Sequence, residues 1–230
     1  WSGTGVDATG QFDPTLAVPG GNTVTYQYTD AATGCSNSDN ALVTVHPLPV
    51  AAFTHAPIAC ANVPFPFSNT SSGATGAEWD FGDGGTSFAF DPSHTFTTTG
   101  FFDVQLVVNT GAGCTDTITS TVQVWDVPQA VLTVSADSGC GPLSIDFDNF
   151  SVGDGLSYLW DFGGLGSSTD QWPPSFVFPV APEDAVTYTV SLTATNACGS
   201  DVATTPVTVM PSPTADFGPN VDLHCSYADV

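Results

Sequence analysis

Hydrophobic and polar residues alternate along much of this chain with the two-residue period of half-buried β-strands. Phe102, Val104, Leu106 and Val108 alternate with Asp103, Gln105 and Val107. Ile118, Thr119, Thr121, Val122 and Val124 supply a β-branched run. Gly111-Ala112-Gly113 between these stretches predicts a hairpin turn. Farther along, Tyr188, Val190, Leu192 and Ala194 alternate, a turn falls near 196–200, and 202–209 runs back. An earlier pair, 23–28 and 41–45, carries Gly34-Cys35 in its turn. No window shows the 3.6-residue period of an amphipathic helix. Short strands spaced by turns predict an all-β chain of sandwich type.

The pattern recurs because the chain repeats. Trp79-Asp80-Phe81-Gly82 returns as Trp160-Asp161-Phe162-Gly163, a shift of 81 residues. Cys35, Cys114 and Cys198 form one series with shifts of 79 and 84, and Cys60, Cys140 and Cys225 another with shifts of 80 and 85. One period shared by motif and cysteines means tandem copies of a single small domain. Three linkers punctuate it: His46-Pro47-Leu48-Pro49, Trp125-Asp126-Val127-Pro128 and Met210-Pro211-Ser212-Pro213. Pro-containing linkers this short are stiff and extended. The expected organisation is the second half of a repeat at 1–46, complete domains at 50–125 and 130–210, and the opening of a further copy at 214–230, set end to end as an extended rod. The chain is expected to be an internal stretch of a longer exported polypeptide.

Composition narrows the partners. Among the 230 residues there is no Lys or Arg, against 23 acidic residues, for a formal net charge of −23. Nucleic acid is excluded as a partner because phosphate binding rests on Lys and Arg, and anionic membrane surfaces are excluded for the same reason. No apolar run is long enough for membrane insertion as a helix. Asp favours turns and caps, which agrees with 23 Gly and 18 Pro in marking a turn-rich chain. Six cysteines with no C-x-x-C pair fit a disulfide framework and an oxidising, extracellular compartment. The repeat predicts Cys60–Cys114 and Cys140–Cys198, each tying the start of a copy to its last hairpin over separations of 54 and 58 residues. On that scheme Cys35 and Cys225 have no partner within the chain.

Glu78-Trp79-Asp80-Phe81-Gly82-Asp83-Gly84, then Pro92-Ser93-His94-Thr95-Phe96, then Gly100-Phe101-Phe102-Asp103-Val104-Gln105-Leu106 closely resemble the PKD (polycystic kidney disease) domain. Residues 130–210 resemble it more loosely. They keep Trp160-Asp161-Phe162-Gly163, but Gly164-Leu165-Gly166 replaces the Asp-Gly turn and the histidine block is missing. Residues 1–45 look like the second half of a bacterial Ig-like repeat. The mixture resembles ectodomains of bacterial surface adhesins and gliding-associated proteins exported by type IX secretion. The resemblance implies Ig-like sandwiches in a stalk, spacer or adhesion module, whose partners are neighbouring repeats and possible surface glycans or other cell-surface proteins. An accessory region of a secreted hydrolase, with its catalytic domain elsewhere, is the leading alternative. A fibre subunit completed by neighbouring chains is the third.

Candidate chemistry is sparse. Trp79 and Trp160 sit inside alternating strands and are expected in the core, whereas Trp172 and Trp125 are better candidates for exposed aromatics. Asp80 and Asp83 form a carboxylate pair of the kind acid/base catalysis uses, but Asp83-Gly84-Gly85 is a hairpin signal, and no enzyme is expected. A cation fits acidic oxygens better. In some PKD domains calcium binds near this turn, which here would use Asn69, Ser71, Asp80 and Asp83. Asn69-Thr70-Ser71 and Asn149-Phe150-Ser151 match the N-glycosylation sequon, and Asp116-Thr117-Ile118 resembles a bacterial O-glycosylation site at Thr117. Neither a Ser-His-Asp spacing nor a zinc-type histidine pair is present.

Overall fold

The computed structural model describes residues 1–181 and 183–213 and divides into two compact units, the first Trp1–Asp126, the second beginning at Val127. The expected opening of a further copy at 214–230, with Cys225, lies outside the described residues. No described helix is long and apolar enough to cross a membrane.

The first unit opens with a long hairpin, β1 (Gly20–Thr29) and β2 (Ser36–Val45), preceded by a short 3-10 turn at Pro14–Leu16 that Asp13 caps. In this hairpin only Asn22 and Val24 are buried. Asn22 Nδ2 donates to the carbonyls of Val18 and Gly20, at 2.8 and 3.1 Å. Leu42, Tyr26 and Tyr28 stay exposed.

The first complete sandwich follows. Its strands are β3 (Phe53–Thr54), β4 (Ile58–Cys60), β5 (Phe65–Pro66), β6 (Ser68–Asn69), β7 (Gly76–Asp80), β8 (Thr86–Ser87), β9 (Ser93–His94), β10 (Gly100–Asn109) and β11 (Thr115–Trp125). A five-stranded sheet runs β4-β11-β10-β7-β8, and the pairs β3-β6 and β5-β9 make up the opposing layer. β10 and β11 pair antiparallel from Gly100↔Val124 to Asn109↔Thr115, while β4 joins the far edge of β11 in parallel. The alternation read from sequence is the burial pattern of β10: Val104, Leu106 and Val108 are fully buried and Asp103 and Gln105 exposed. Each buried face meets the aromatic layer of Phe65, Phe67, Trp79, Phe81 and Phe96.

The second unit repeats this plan. Its strands are β12 (Leu132–Val134), β13 (Ser138–Cys140), β14 (Leu143–Ile145), β15 (Phe147–Asn149), β16 (Ser157–Phe162), β17 (Ser167–Ser168), β18 (Phe176–Phe178), β19 (Val186–Asn196) and β20 (Gly199–Met210). The large sheet runs β13-β20-β19-β16-β17, faced by β12-β15 and β14-β18. Every pairing of the first sandwich has its counterpart, including the parallel edge strand, β13 on β20. Ile145, Phe147, Trp160, Phe162, Phe178, Val190 and Leu192 form its core. The chain is thus all-β, with Ig-like sandwiches in tandem.

The cysteines correct one expectation. Cys114 and Cys140 are free, whereas Cys60 and Cys198 are disulfide-bonded, so neither Cys60–Cys114 nor Cys140–Cys198 forms. The reason is register. Cys60 lies opposite Trp125, at the end of β11, whereas Cys114 precedes its start. A strand of that length separates them by roughly 35 Å, against about 4.4–6.8 Å between the Cα atoms of a disulfide. Cys140 lies opposite Met210 at the end of β20, and Cys198 precedes its start, which sets those two farther apart still. Cys35 is free and exposed.

Candidate functional site

The residues singled out by sequence gather around the turn between β7 and β8. Phe81 N donates to Gly85 O at 3.0 Å, closing the turn. Gly82 and Gly84 take left-handed φ values of 78° and 92°, which other residues adopt at a cost. Asp80 Oδ1 accepts from Gly82 N, and Asp83 Oδ1 from Gly85 N, each at 2.9 Å. His94, brought in by β9, donates from Nε2 to Asp83 Oδ2 over 2.8 Å. Its ring stacks on Phe81 at 4.1 Å and 5° and meets the edge of Phe96 at 4.7 Å. Burial pushes the Asp83 carboxyl up, but hydrogen bonds from His94 and Gly85 outweigh it and hold the group below the usual carboxylate range.

This arrangement builds a turn and leaves no reactive pair. Asp80 lines a shallow groove on the sheet with Glu78, Thr86, Gln105 and Val107, while Asp83 is engaged by His94. In the calcium set, Asn69 Oδ1 accepts from Ser71 N at 2.9 Å and Ser71 Oγ donates to Ala52 O at 3.1 Å. Each of these polar groups thus serves the local backbone. Among the described residues, no three His, Cys, Asp or Glu side chains gather closely enough to hold an ion.

The second copy tests what the turn needs. Asp161 Oδ1 accepts from Gly164 N at 2.7 Å, and Phe162 N donates to Gly166 O. Phe176 takes the place of His94 on the paired strand and stacks on Phe162 at 4.7 Å and 22°. The aromatic stack is retained and the ion pair is dropped.

A consequence for pH follows. Asp83 binds its proton more weakly folded than unfolded, so its stabilising contribution is full above the unfolded value, about 3.9. That contribution is lost as pH falls through the lower folded value. Asp83→Asn is expected to weaken the first domain at pH 7, by a margin that shrinks as pH falls below about 4, in urea unfolding followed from pH 7 to 2. A difference undiminished at pH 2 would contradict this account.

The other candidates take structural places. Trp79 and Trp160 are fully buried, and their Nε1 atoms donate to Ala89 O and Asp170 O, each at 3.0 Å. Trp172 is 64% exposed; Trp125 is half-buried. Asn149 is buried, its Oδ1 accepting from Ser151 N and its Nδ2 donating to Gln171 O. Asn69 Nδ2 is buried too. Neither amide is accessible to a glycosylating enzyme in the folded domain, because both sequons form the same inward turn. Thr117 is exposed on β11. Sequence reasoning missed the role of its neighbour: Asp116 Oδ2 accepts from Ala51 N at 2.8 Å, clamping the entering linker to the last strand. Hydrogen bonds from Ala51 and Thr117 hold its carboxyl below the usual range. Asp201 does the same for Ala130 at 2.8 Å. The signal was available, since both the acids and their alanine partners recur in the repeat.

Family models described as PKD domain match residues 44–125 and 131–209. Among solved structures, the chain is similar to the PKD1 domain of Vibrio anguillarum Epp, at 32% identity over 34% of this chain and 94% of that one, with a TM-score of 0.31. The PKD1 domain of the Vibrio cholerae metalloprotease PrtV matches at 32% identity over 34% and 98%, with a TM-score of 0.30. Three N-terminal domains of the bacteriophage RB49 outer capsid protein Hoc match at 12% identity over 85% and 80%, with a TM-score of 0.43. With both of its complete sandwiches matched and most of its length covered, the chain belongs to the PKD domain family and carries two such domains in tandem.

Proposed function

We propose that this chain is a spacer stretch of a secreted or cell-surface multidomain protein, a stalk that holds other parts of that protein apart or presents them for adhesion. PKD domains are extracellular, non-catalytic structural modules. The observation that carries the reading is the comparison between the two copies. They share every strand pairing and the aromatic core, yet differ in the polar groups at the turn, where His94 gives way to Phe176. The feature repeated is a shape, and the polar side chains serve turns and linker entry. The acidic surface keeps such molecules soluble and apart. Neighbouring repeats of the same polypeptide are its first partners, with surface glycans or other cell-surface proteins beyond them, and type IX secretion is the proposed route of export.

A second reading, an accessory region of a secreted hydrolase, draws on the exposed rings of Trp172, Phe88 and Phe101. It also draws on similarity to the PKD1 domain of a metalloprotease. Small-angle scattering of the whole chain across a salt series separates a spacer from a compact binding module. A spacer is expected to exceed about 80 Å in maximum dimension, from strand lengths on the order of 30 Å per domain plus the ends. It should keep that length at high salt, where charge repulsion is screened to within a few ångströms. A near-spherical particle under all conditions would refute the spacer reading.

A further inference from the structure

The two complete domains share a core but not a face. On the outer side of the first large sheet, β10 presents Phe101, Asp103 and Gln105, and β7 presents Glu78 and Asp80 beside them, all exposed. The strand registers give their counterparts on β19 and β16 as Thr187, Thr189, Ser191, Leu159 and Asp161. Only Asp80 keeps its residue type, as Asp161, and each of these two accepts a hydrogen bond from a turn glycine. The second domain builds the same sheet without the rest. The fold therefore does not require Phe101, Asp103 or Glu78 on this face.

The spacing of these groups is regular. Glu78 and Asp80 lie two residues apart on one strand, which sets them about 7 Å from each other. Gln105 lies opposite Asp80, so Asp103 is its diagonal neighbour on β10, at roughly 7–8 Å. Glu78 and Asp80 line a groove of about 210 Å³ with Thr86, Gln105 and Val107. Two residues before Asp103, on the same side of the strand, the ring of Phe101 is 72% exposed. None of the three carboxylates has a cationic partner among the described residues.

We propose that this face of the first domain docks an extended basic segment of a partner protein, with lysine or arginine at alternate positions. Alternate side chains of an extended chain project to one side about 7 Å apart, which is the spacing of Glu78 and Asp80. Each ammonium or guanidinium group meets a carboxylate, and a further cation with its aliphatic stem covers the ring of Phe101. Charge decides the class of occupant. A second copy of this chain brings no Lys or Arg and a net charge of −23, and nucleic acid is repelled in the same way. A neutral glycan supplies no charge to the carboxylates. The proposal rests on the reading of other cell-surface proteins as partners and gives the chemistry by which one is held.

The test is a titration of the whole isotope-labelled chain with a short peptide alternating arginine and serine, read from amide NMR shifts. Saturable shifts are expected on β7 and β10, with the equivalent positions of β16 and β19 unmoved. The second domain is thus an internal control for charge attraction at large. No saturable shift on this face, or shifts spread over both domains alike, would overturn the proposal. So would shifts on this face with a neutral oligosaccharide and none with the peptide. The double variant Glu78→Leu, Asp103→Thr carries the residues that the second copy places there. It should weaken the peptide about fivefold, as the loss of two exposed ion pairs allows; unchanged affinity would refute the docking. An extended particle in scattering without peptide binding keeps the spacer and removes the docking face; the reverse combination does the opposite.

Discussion

Trp79→Ala is expected to unfold the first PKD domain at ordinary temperatures and leave the second folded. Trp79 has no exposed surface, and its ring lies 5.1 Å from Phe53, 5.6 Å from Phe67 and 6.3 Å from Phe81. Removing it takes away the centre of the aromatic layer and leaves Ala89 O without its indole donor. Truncations of this kind cost about 3–5 kcal/mol, against roughly 5–15 kcal/mol of total stability, with small domains toward the low end. For a domain of this size the loss corresponds to a fall in Tm on the order of 15–30 °C. Trp160 occupies the same place in the second core, so Trp160→Ala should produce the mirror result. Hydrogen exchange resolved by residue reads both: protection should vanish across β10 in the first variant and across β19 in the second. Loss of protection in both domains from either substitution would show that the two cores do not fold independently.

The next largest effect is expected from Gly82→Ala, set against Gly84→Ala in the same turn. Both glycines have positive φ, so both substitutions carry the cost of a left-handed alanine, about 1–2 kcal/mol. At Gly82 a Cβ would also stand 2.8 Å from the carbonyl oxygen of Asp103 on β10, a backbone atom that moves only if the strand moves. At Gly84 a Cβ meets nothing within 4 Å. Gly82→Ala is therefore expected to destabilise the first domain by about 2–4 kcal/mol and Gly84→Ala by about half that or less. Equal urea midpoints for the two variants would mean that the turn yields without disturbing β10. Gly163 repeats the first case, with its Cβ position 2.8 Å from Cβ of Tyr188.

Much of the fold was legible in sequence for a local reason. Alternation along 102–108 and 188–194 states which side chains face inward, and the structure buries them, Phe102 and Tyr188 in part and the others fully. The repeated Trp-Asp-Phe-Gly marks the same core position and the same turn in both copies. Less legible were strands without an apolar signal. Residues 36–40, Ser-Asn-Ser-Asp-Asn, have a loop's composition, yet they form half of β2 because β1 satisfies their backbone while every side chain stays in solvent. The parallel edge strands β4 and β13 are too short to show a period.

For the candidate site, sequence located the turn acids and His94 but not their partners. Asp83 belongs to His94, Asp116 to Ala51, and the Asn-x-Ser segments turn inward to the backbone. Sequence by itself determined the repeat, the sandwich class, the core tryptophans and the absence of any basic surface, because each is written in residue type and spacing. Tertiary structure alone decided which end of the sheet each residue occupies. Cys60 and Cys114 recur at regular separations, but the parallel pairing of β4 with the end of β11 sets them at opposite poles. Separation along a chain carries no information about which end of a sheet a residue reaches; that is fixed by the register of strands far apart in sequence.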